Sequence, residues 1–230
     1  MAHTPEPTIA TVVIDGPDGN MLNPDVMAQI KSDLIRADED DAVSGILLTG
    51  AGAHFCGGLD LAGIKAGGDP VEFAGALADL LQVFPKLRKP IAAAVNAHAL
   101  ASGAALVAAS DYAVMVPDVK IGSYEVAVGV WPVVAQVPLI QRLGPRLAME
   151  NIGSGEPFTA ERALELGLVN ALASPEELIG TVTKWLTLAA RGGAANAGRR
   201  FFYEVADLPY AEALQQAHQN FAQQFKGNTK

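Results

Sequence analysis

The chain has 230 residues, half of them apolar, with 18% charged residues and a net charge of −9. That length suits one large domain or two small ones, no linker divides it, and the apolar half is ample for a core. No Lys/Arg cluster offers a nucleic-acid footprint, and Cys56, the one cysteine, excludes an intrachain disulfide or a cysteine-based metal cluster and fits a reducing, cytoplasmic setting.

Residues 1–7 carry neither the basic nor the apolar region of a signal peptide. Residues 8–14 read as a strand, followed by turn chemistry in Asp15-Gly16-Pro17-Asp18-Gly19. Asn23-Pro24 suits an N-cap and first helical residue, with Val26, Ile30, Leu34 and Ile35 at helical spacing. Residues 43–49 form a second apolar strand ending at Gly50-Ala51-Gly52. The spacing of Val71, Ala74, Leu77, Leu81 and Phe84 predicts a helix over 70–87. Lys89-Pro90 breaks that pattern before a third strand over 91–95.

Residues 91–116 are mostly apolar and about as long as a membrane span. Asn96, His98, Ser102, Ser110 and Asp111 interrupt them and Gly103 falls mid-run, which favours a buried strand, a helix over 101–109 and a strand over 112–116. Short strand character returns at 119–122. Helical patterns then fill 135–143, 146–152, 160–166 (with Thr159 as N-cap), 176–190, 194–205 and 209–225. Strands alternating with helices, then helices, argue α/β with a helical C-terminal part. No fixed-period repeat is visible.

Three turns hold the candidate chemistry. His54-Phe55-Cys56-Gly57-Gly58-Leu59-Asp60-Leu61 follows an apolar strand, and its glycines permit positive φ and close backbone approach, with Leu59 N–H available to a ligand. Ala101-Ser102-Gly103 opens a helix, whose first N–H groups and dipole suit a polarised carbonyl. Ser123-Tyr124-Glu125 offers one carboxylate. Backbone donors plus one base are what proton transfer beside a carbonyl needs. The plainer readings are a tight turn leaving a buried strand and a helix start capped by Ser102 itself.

These blocks resemble the crotonase (enoyl-CoA hydratase/isomerase) family. Phe55 to Leu61 is similar to its Phe-x-x-Gly-x-Asp-Leu signature. Lys89 to Asn96 followed by Ala99-Leu100 and Gly103 is similar to its second, and Ser110 to Ala113, Lys120 to Gly122, Gly129, Arg142 to Gly144 and Leu166 to Val169 keep the family's order. The resemblance covers about residues 8–172. It implies a spiral of ββα units over 1–190, a C-terminal helical trimerisation or cover region over 191–230, acyl-CoA thioester substrates, and homotrimers or dimers of trimers. It implies no metal or redox cofactor, and neither a nucleic-acid nor a membrane partner.

Carried over residue by residue, the oxyanion-hole N–H groups fall on Leu59 and Ser102. Backbone contacts to coenzyme A fall around Met21 and around Leu59, Asp60, Leu61 and Ala62. The hydratases' second glutamate falls on Glu125 and their first on Ala105, the pattern of the single-glutamate Δ3,Δ2-enoyl-CoA isomerases. Hydration needs a carboxylate pair, whereas one glutamate can move a proton between two carbons. Other family reactions stay open if Asp60 or Glu72 reaches the site, and so does a non-catalytic acyl-CoA binder if Trp131 fills the channel.

Cys56 reads as a poor nucleophile, because a reactive thiol needs a basic partner and a lowered pKa, and His54 alone invites that reading. His98 reads as a packed histidine. Ser102 as a peptidase nucleophile would need a downstream histidine, and only His218 follows. Trp131-Pro132-Val133-Val134 replaces the family's glycine-rich segment, and the resemblance implies that Phe221 and Phe225 give part of the cover, to this chain or a neighbouring subunit, that a longer terminal helix gives other members.

Overall fold

The computed structural model describes residues 7–226, so residues 1–6 of the N-terminal stretch and the side chain of Phe225 lie outside the described residues. β1 (Ile9–Ile14) leads into α1 (Pro17–Asn20), a single turn in which Asp18 and Gly19 take φ of 39° and 91°. The turn expected from its glycines and proline is what forms. α2 (Pro24–Glu39) starts as its sequence predicts, with the Asn23 side chain accepting from Val26 N–H at 2.9 Å. It buries Met27, Ile30, Leu34 and Ala37 and leaves Ile35 exposed.

β2 (Gly45–Gly50) is followed by α3 (Leu61–Lys65) and α4 (Pro70–Leu81). α4 stops short of residue 87. Pro85 lacks an N–H and its ring would meet the Leu81 carbonyl, so a 3₁₀ turn, Phe84–Lys86, takes over. Its buried face is Phe73, Leu77 and Leu80, and Val71 is 77% exposed, a rotation of the expected stripe.

Residues 91–116 resolve into β3 (Ile91–Val95), β4 (Ala99–Leu100), α5 (Ser102–Ala109) and β5 (Tyr112–Met115). No described helix is long and apolar enough to cross a membrane. β6 (Lys120–Gly122) and a 3₁₀ turn, Glu125–Val128, come next. α6 (Gln136–Ile152) is broken at Gly144 (φ 75°) into the two helices expected. β7 (Phe158–Thr159), α7 (Ala160–Glu165), β8 (Ala171–Leu172), α8 (Pro175–Ala190), α9 (Ala194–Ala206) and α10 (Tyr210–Lys226) complete the chain. Thr159 caps α7 by accepting from Arg162 N–H at 3.2 Å.

Five strands form an all-parallel sheet in the order β1-β2-β3-β5-β8. Both faces of its centre are covered, which is why β2, β3 and β5 are near-continuous apolar runs. Leu47, Ala92, Ala94, Val114 and Val116 face α8 through Leu178, Val182 and Leu186. The alternate residues, Ile46, Leu48, Ala93, Val95 and Met115, face a larger core with α2, α4 and α5.

A second layer runs beside the first. β4 pairs with β6 in parallel and β6 with β7 antiparallel, while single parallel bridges join Leu22 to Leu59 and Cys56 to Ala99. The units that begin at β1, β2, β3 and β5 thus each have one strand in the main sheet, a short strand or bridge in the second layer, then a helix. This is the ββα spiral expected.

Buried ionic groups tie the layers together. Asp38 accepts from the N–H groups of Arg88 and Lys89, and Lys89 Nζ donates to the carbonyls of Ala37 and Asp40 at the end of α2. Burial holds the Lys89 amine below the usual lysine range. On α9, Arg199 pairs with Asp111 at 2.7 Å and donates to the Phe84 and Leu87 carbonyls.

Candidate active site

The second layer brings the three turns together. Leu100 N–H donates to Cys56 C=O at 2.9 Å and Ala101 N–H to Gly122 C=O at 2.8 Å, so the ends of three neighbouring strands lie side by side. Adjacent strands sit about 4.8 Å apart. The chain leaves the first strand at Gly57-Gly58-Leu59, the second at Ala101-Ser102 and the third at Ser123-Tyr124-Glu125.

Close backbone approach fixes the first two turns. Gly58 has φ 107°, and a Cβ there would lie 2.6 Å from Ala101 Cβ and 3.7 Å from Ser102 N. Only glycine fits. A Cβ on Gly103 would lie 2.6 Å from Cys56 C=O, a second point of contact. Ala101 takes φ 53° and ψ −119°, a conformation that glycine tolerates and alanine resists. Ser102 is then the first helical residue of α5, where its N–H has no intrahelical acceptor. Among the described residues, neither Leu59 N–H nor Ser102 N–H donates to a protein acceptor. Two unpaired donors therefore meet at the junction of these turns.

The neighbouring positions assemble around the first turn. Leu22 N–H donates to Gly58 C=O at 2.8 Å and Asp60 N–H to Leu22 C=O at 2.9 Å. Met21 Sδ and Cε would lie 2.9 Å from a Cβ on Gly57. Leu61 and Ala62 begin α3, with Ala62 exposed. Asp60 caps that helix, its Oδ1 accepting from Gly63 N–H at 2.8 Å. Two asparagines hold the preceding loop: Asn20 Nδ2 donates to the Ala51 and His54 carbonyls, and Asn96 Nδ2 to the Gly52 carbonyl at 3.0 Å.

Glu125 opens the 3₁₀ turn after β6. Its Oε2 accepts from Ser123 Oγ–H at 2.5 Å and from Tyr124 N–H at 3.0 Å. Burial, reinforced by the Glu125 carboxylate, holds the Tyr124 phenol above the usual tyrosine range. Ala105, one turn along α5 from Ser102, is fully buried. Glu72 is exposed on the first turn of α4. Trp131 is 46% exposed, with Nε1–H bonded to Gln136 Oε1 at 3.0 Å.

Other sequence expectations resolve plainly. Cys56 is fully buried and its thiol is pushed up to about 12 by that burial, which removes it as a nucleophile. His98 is exposed rather than packed, and its Nδ1 accepts from Lys120 N–H at 2.8 Å. The reason is its place between β3 and β4, on the solvent side of the crossing. His218 is exposed on α10, and no described side chain bonds the Ser102 hydroxyl as a general base would. A cavity of about 550 Å³ lies between α4, α6, α9 and the far end of α5, lined by Leu81, Phe84, Ala108, Val134, Val137 and Tyr203 among others. None of Leu59, Ser102 and Glu125 lines it.

Asn151 is a neighbour of the Ser123-Tyr124-Glu125 turn that has no signal in the sequence. It is buried on α6, and its amide bonds both backbone groups of Ser123. It stands 28 residues from Ser123, so no local spacing signals the contact.

The family model described as enoyl-CoA hydratase/isomerase matches residues 4–229. A crotonyl-CoA hydratase of Syntrophomonas wolfei is 30% identical over 184 residues, covering 78% of this chain and 71% of that protein. A probable enoyl-CoA hydratase of Bacillus subtilis is 29% identical over 226 residues, covering 96% and 83%. A solved structure of enoyl-CoA hydratase subunit I from Geobacillus kaustophilus superposes with a TM-score of 0.85 at 28% identity, over 97% of this chain and 88% of that one.

Proposed function

The chain belongs to the enoyl-CoA hydratase/isomerase family, and on that footing we propose that it converts Δ3-enoyl-CoA thioesters to Δ2-enoyl-CoA by a single-glutamate proton shuttle. The thioester oxygen sits between Leu59 N–H and Ser102 N–H. Glu125 takes a proton from C2, and the C–H electron pair delocalises into a dienolate whose charge rests on that oxygen. Glu125 then returns the proton to C4, the double bond moves to C2–C3, and the carboxylate is regenerated. Donors already aimed at the developing charge need no reorganisation, which is where such sites gain most. Met21, Leu59, Asp60, Leu61 and Ala62 line the backbone path for coenzyme A.

What supports this reading is that Ala105, on the position where the family resemblance implies a hydratase's other glutamate, is a fully buried methyl, which leaves Glu125 as the one carboxylate of the pair. Ala105 holds no water. Asp60 is engaged as a helix cap and Glu72 is exposed, so neither acid replaces it. Hydration is the second reading, favoured by the names of the relatives.

Glu125→Gln is expected to lower isomerisation by about 10²–10⁴-fold, the range for loss of a general base, while acyl-CoA still binds. Incubation with matched 2-enoyl- and 3-enoyl-CoA panels, followed by mass spectrometry, separates the reactions. Addition of water to the 2-enoyl series at a rate above isomerisation would sink the isomerase reading.

A further inference from the structure

We propose that Ser123 and Asn151 are positioning residues that aim Glu125, committing one carboxylate oxygen to the protein and leaving the other for the substrate proton. The inference rests on Glu125 as the base of the proposed reaction.

The relay starts on α6. Asn151 is 1% exposed, and its Oδ1 accepts from Ser123 N–H at 2.7 Å. Its Nδ2 donates to Ser123 C=O at 2.8 Å and to Glu156 C=O at 2.8 Å. Both backbone groups of Ser123 are therefore held by one buried amide. The pairing also fixes which way the amide faces, since a flip would set donor against donor. Gly122 lets the amide come this close: it has φ 140°, and a Cβ there would lie 2.6 Å from Asn151 Oδ1.

With its backbone clamped, Ser123 carries the constraint outward. It is 1% exposed, and its Oγ–H donates to Glu125 Oε2 at 2.5 Å. Tyr124 N–H donates to the same oxygen at 3.0 Å. The far side of the turn is tied as well, because Val130 N–H donates to Glu125 C=O at 2.9 Å. Among the described residues no donor reaches Oε1. A carboxylate with two fixed donors on one oxygen presents the other in a defined direction. A proton that leaves C2 and returns to C4 must be carried by an oxygen that reaches both carbons, so direction matters more here than in a single proton transfer.

The test compares Ser123→Ala, Ser123→Thr and Glu125→Gln in 3-enoyl-CoA isomerisation, with thermal melting of each variant. Ser123→Ala should lower kcat by about 10–100-fold, the scale of a misaimed reacting group, with KM within about threefold. Ser123→Thr, which keeps a hydroxyl on the same carbon, should return most of the lost kcat. A purely structural hydroxyl would lower the melting temperature of Ser123→Ala and leave kcat unchanged, and that result overturns the proposal, as does a threonine variant as slow as the alanine one. Full activity in Glu125→Gln overturns the reading of Glu125 itself, whatever Ser123 does.

Discussion

Ala101 carries the clearest backbone strain at the site. Its φ of 53° and ψ of −119° place a Cβ where glycine would be at ease, and that Cβ packs against the glycine surface of Gly58. Holding a non-glycine residue there costs about 1–3 kcal/mol, partly offset by the lower entropy that alanine has in the unfolded chain. Ala101→Gly should therefore raise stability by about 1 kcal/mol. Urea unfolding at unchanged m-value reads this directly, and a lower midpoint would show that the buried methyl outweighs the strain. At the same scale, legibility in the sequence divides sharply. Gly58, Ser102 and Glu125 stand in short local motifs, so they could be picked out by type and order. Asn20, Asn96 and Asn151 act through long-range bonds to backbone carbonyls and N–H groups, and a lone asparagine in a sequence carries no sign of such a partner.

Among the elements, those with strong local signals matched their expectations: the capped start of α2, the break at Gly144, and the apolar strands β2, β3 and β5. The short strands β4, β7 and β8 have two residues each, too few for any alternation to register. On helix α9 the buried residue is Arg199, so ionic burial anchors this element. Arg199 bridges Asp111 to the carbonyls of the 3₁₀ turn, and Tyr203 O–H donates to Asp111 Oδ1 at 2.5 Å. Burial, then the Asp111 carboxylate, pushes the Tyr203 phenol up to about 12 from an ordinary 10.0. Between those values the unfolded chain has released a proton that the folded chain keeps. The contribution is thus fully present below the unfolded value and is lost as pH rises through the folded one. Denaturant titrations at a series of alkaline pH values should show stability falling across that window, and Tyr203→Phe should flatten the fall. An equal slope in both proteins would remove Tyr203 as its source.

For the whole molecule, the two-layer spiral explains why the proposed site lies at strand ends. Each second-layer strand is short, so the chain turns immediately, and three successive turns stack at the spacing of the ladder. The same economy hides the repeat from the sequence, since units whose second strand is one bridge or two residues share no common length. The C-terminal helices pose a different question. α10 packs along α9, and Phe202, Tyr210 and Leu214 remain 65%, 81% and 55% exposed. Large apolar side chains grouped on one pair of helices favour burial against another surface. Assembly into a trimer or a dimer of trimers, as the family resemblance implies, would supply that surface. Sedimentation at micromolar concentration should then give a mass that is three or six times 23.9 kDa, and Leu214→Asp should shift the population toward single chains. A native protein that sediments as one chain would mean that these helices are not an assembly surface.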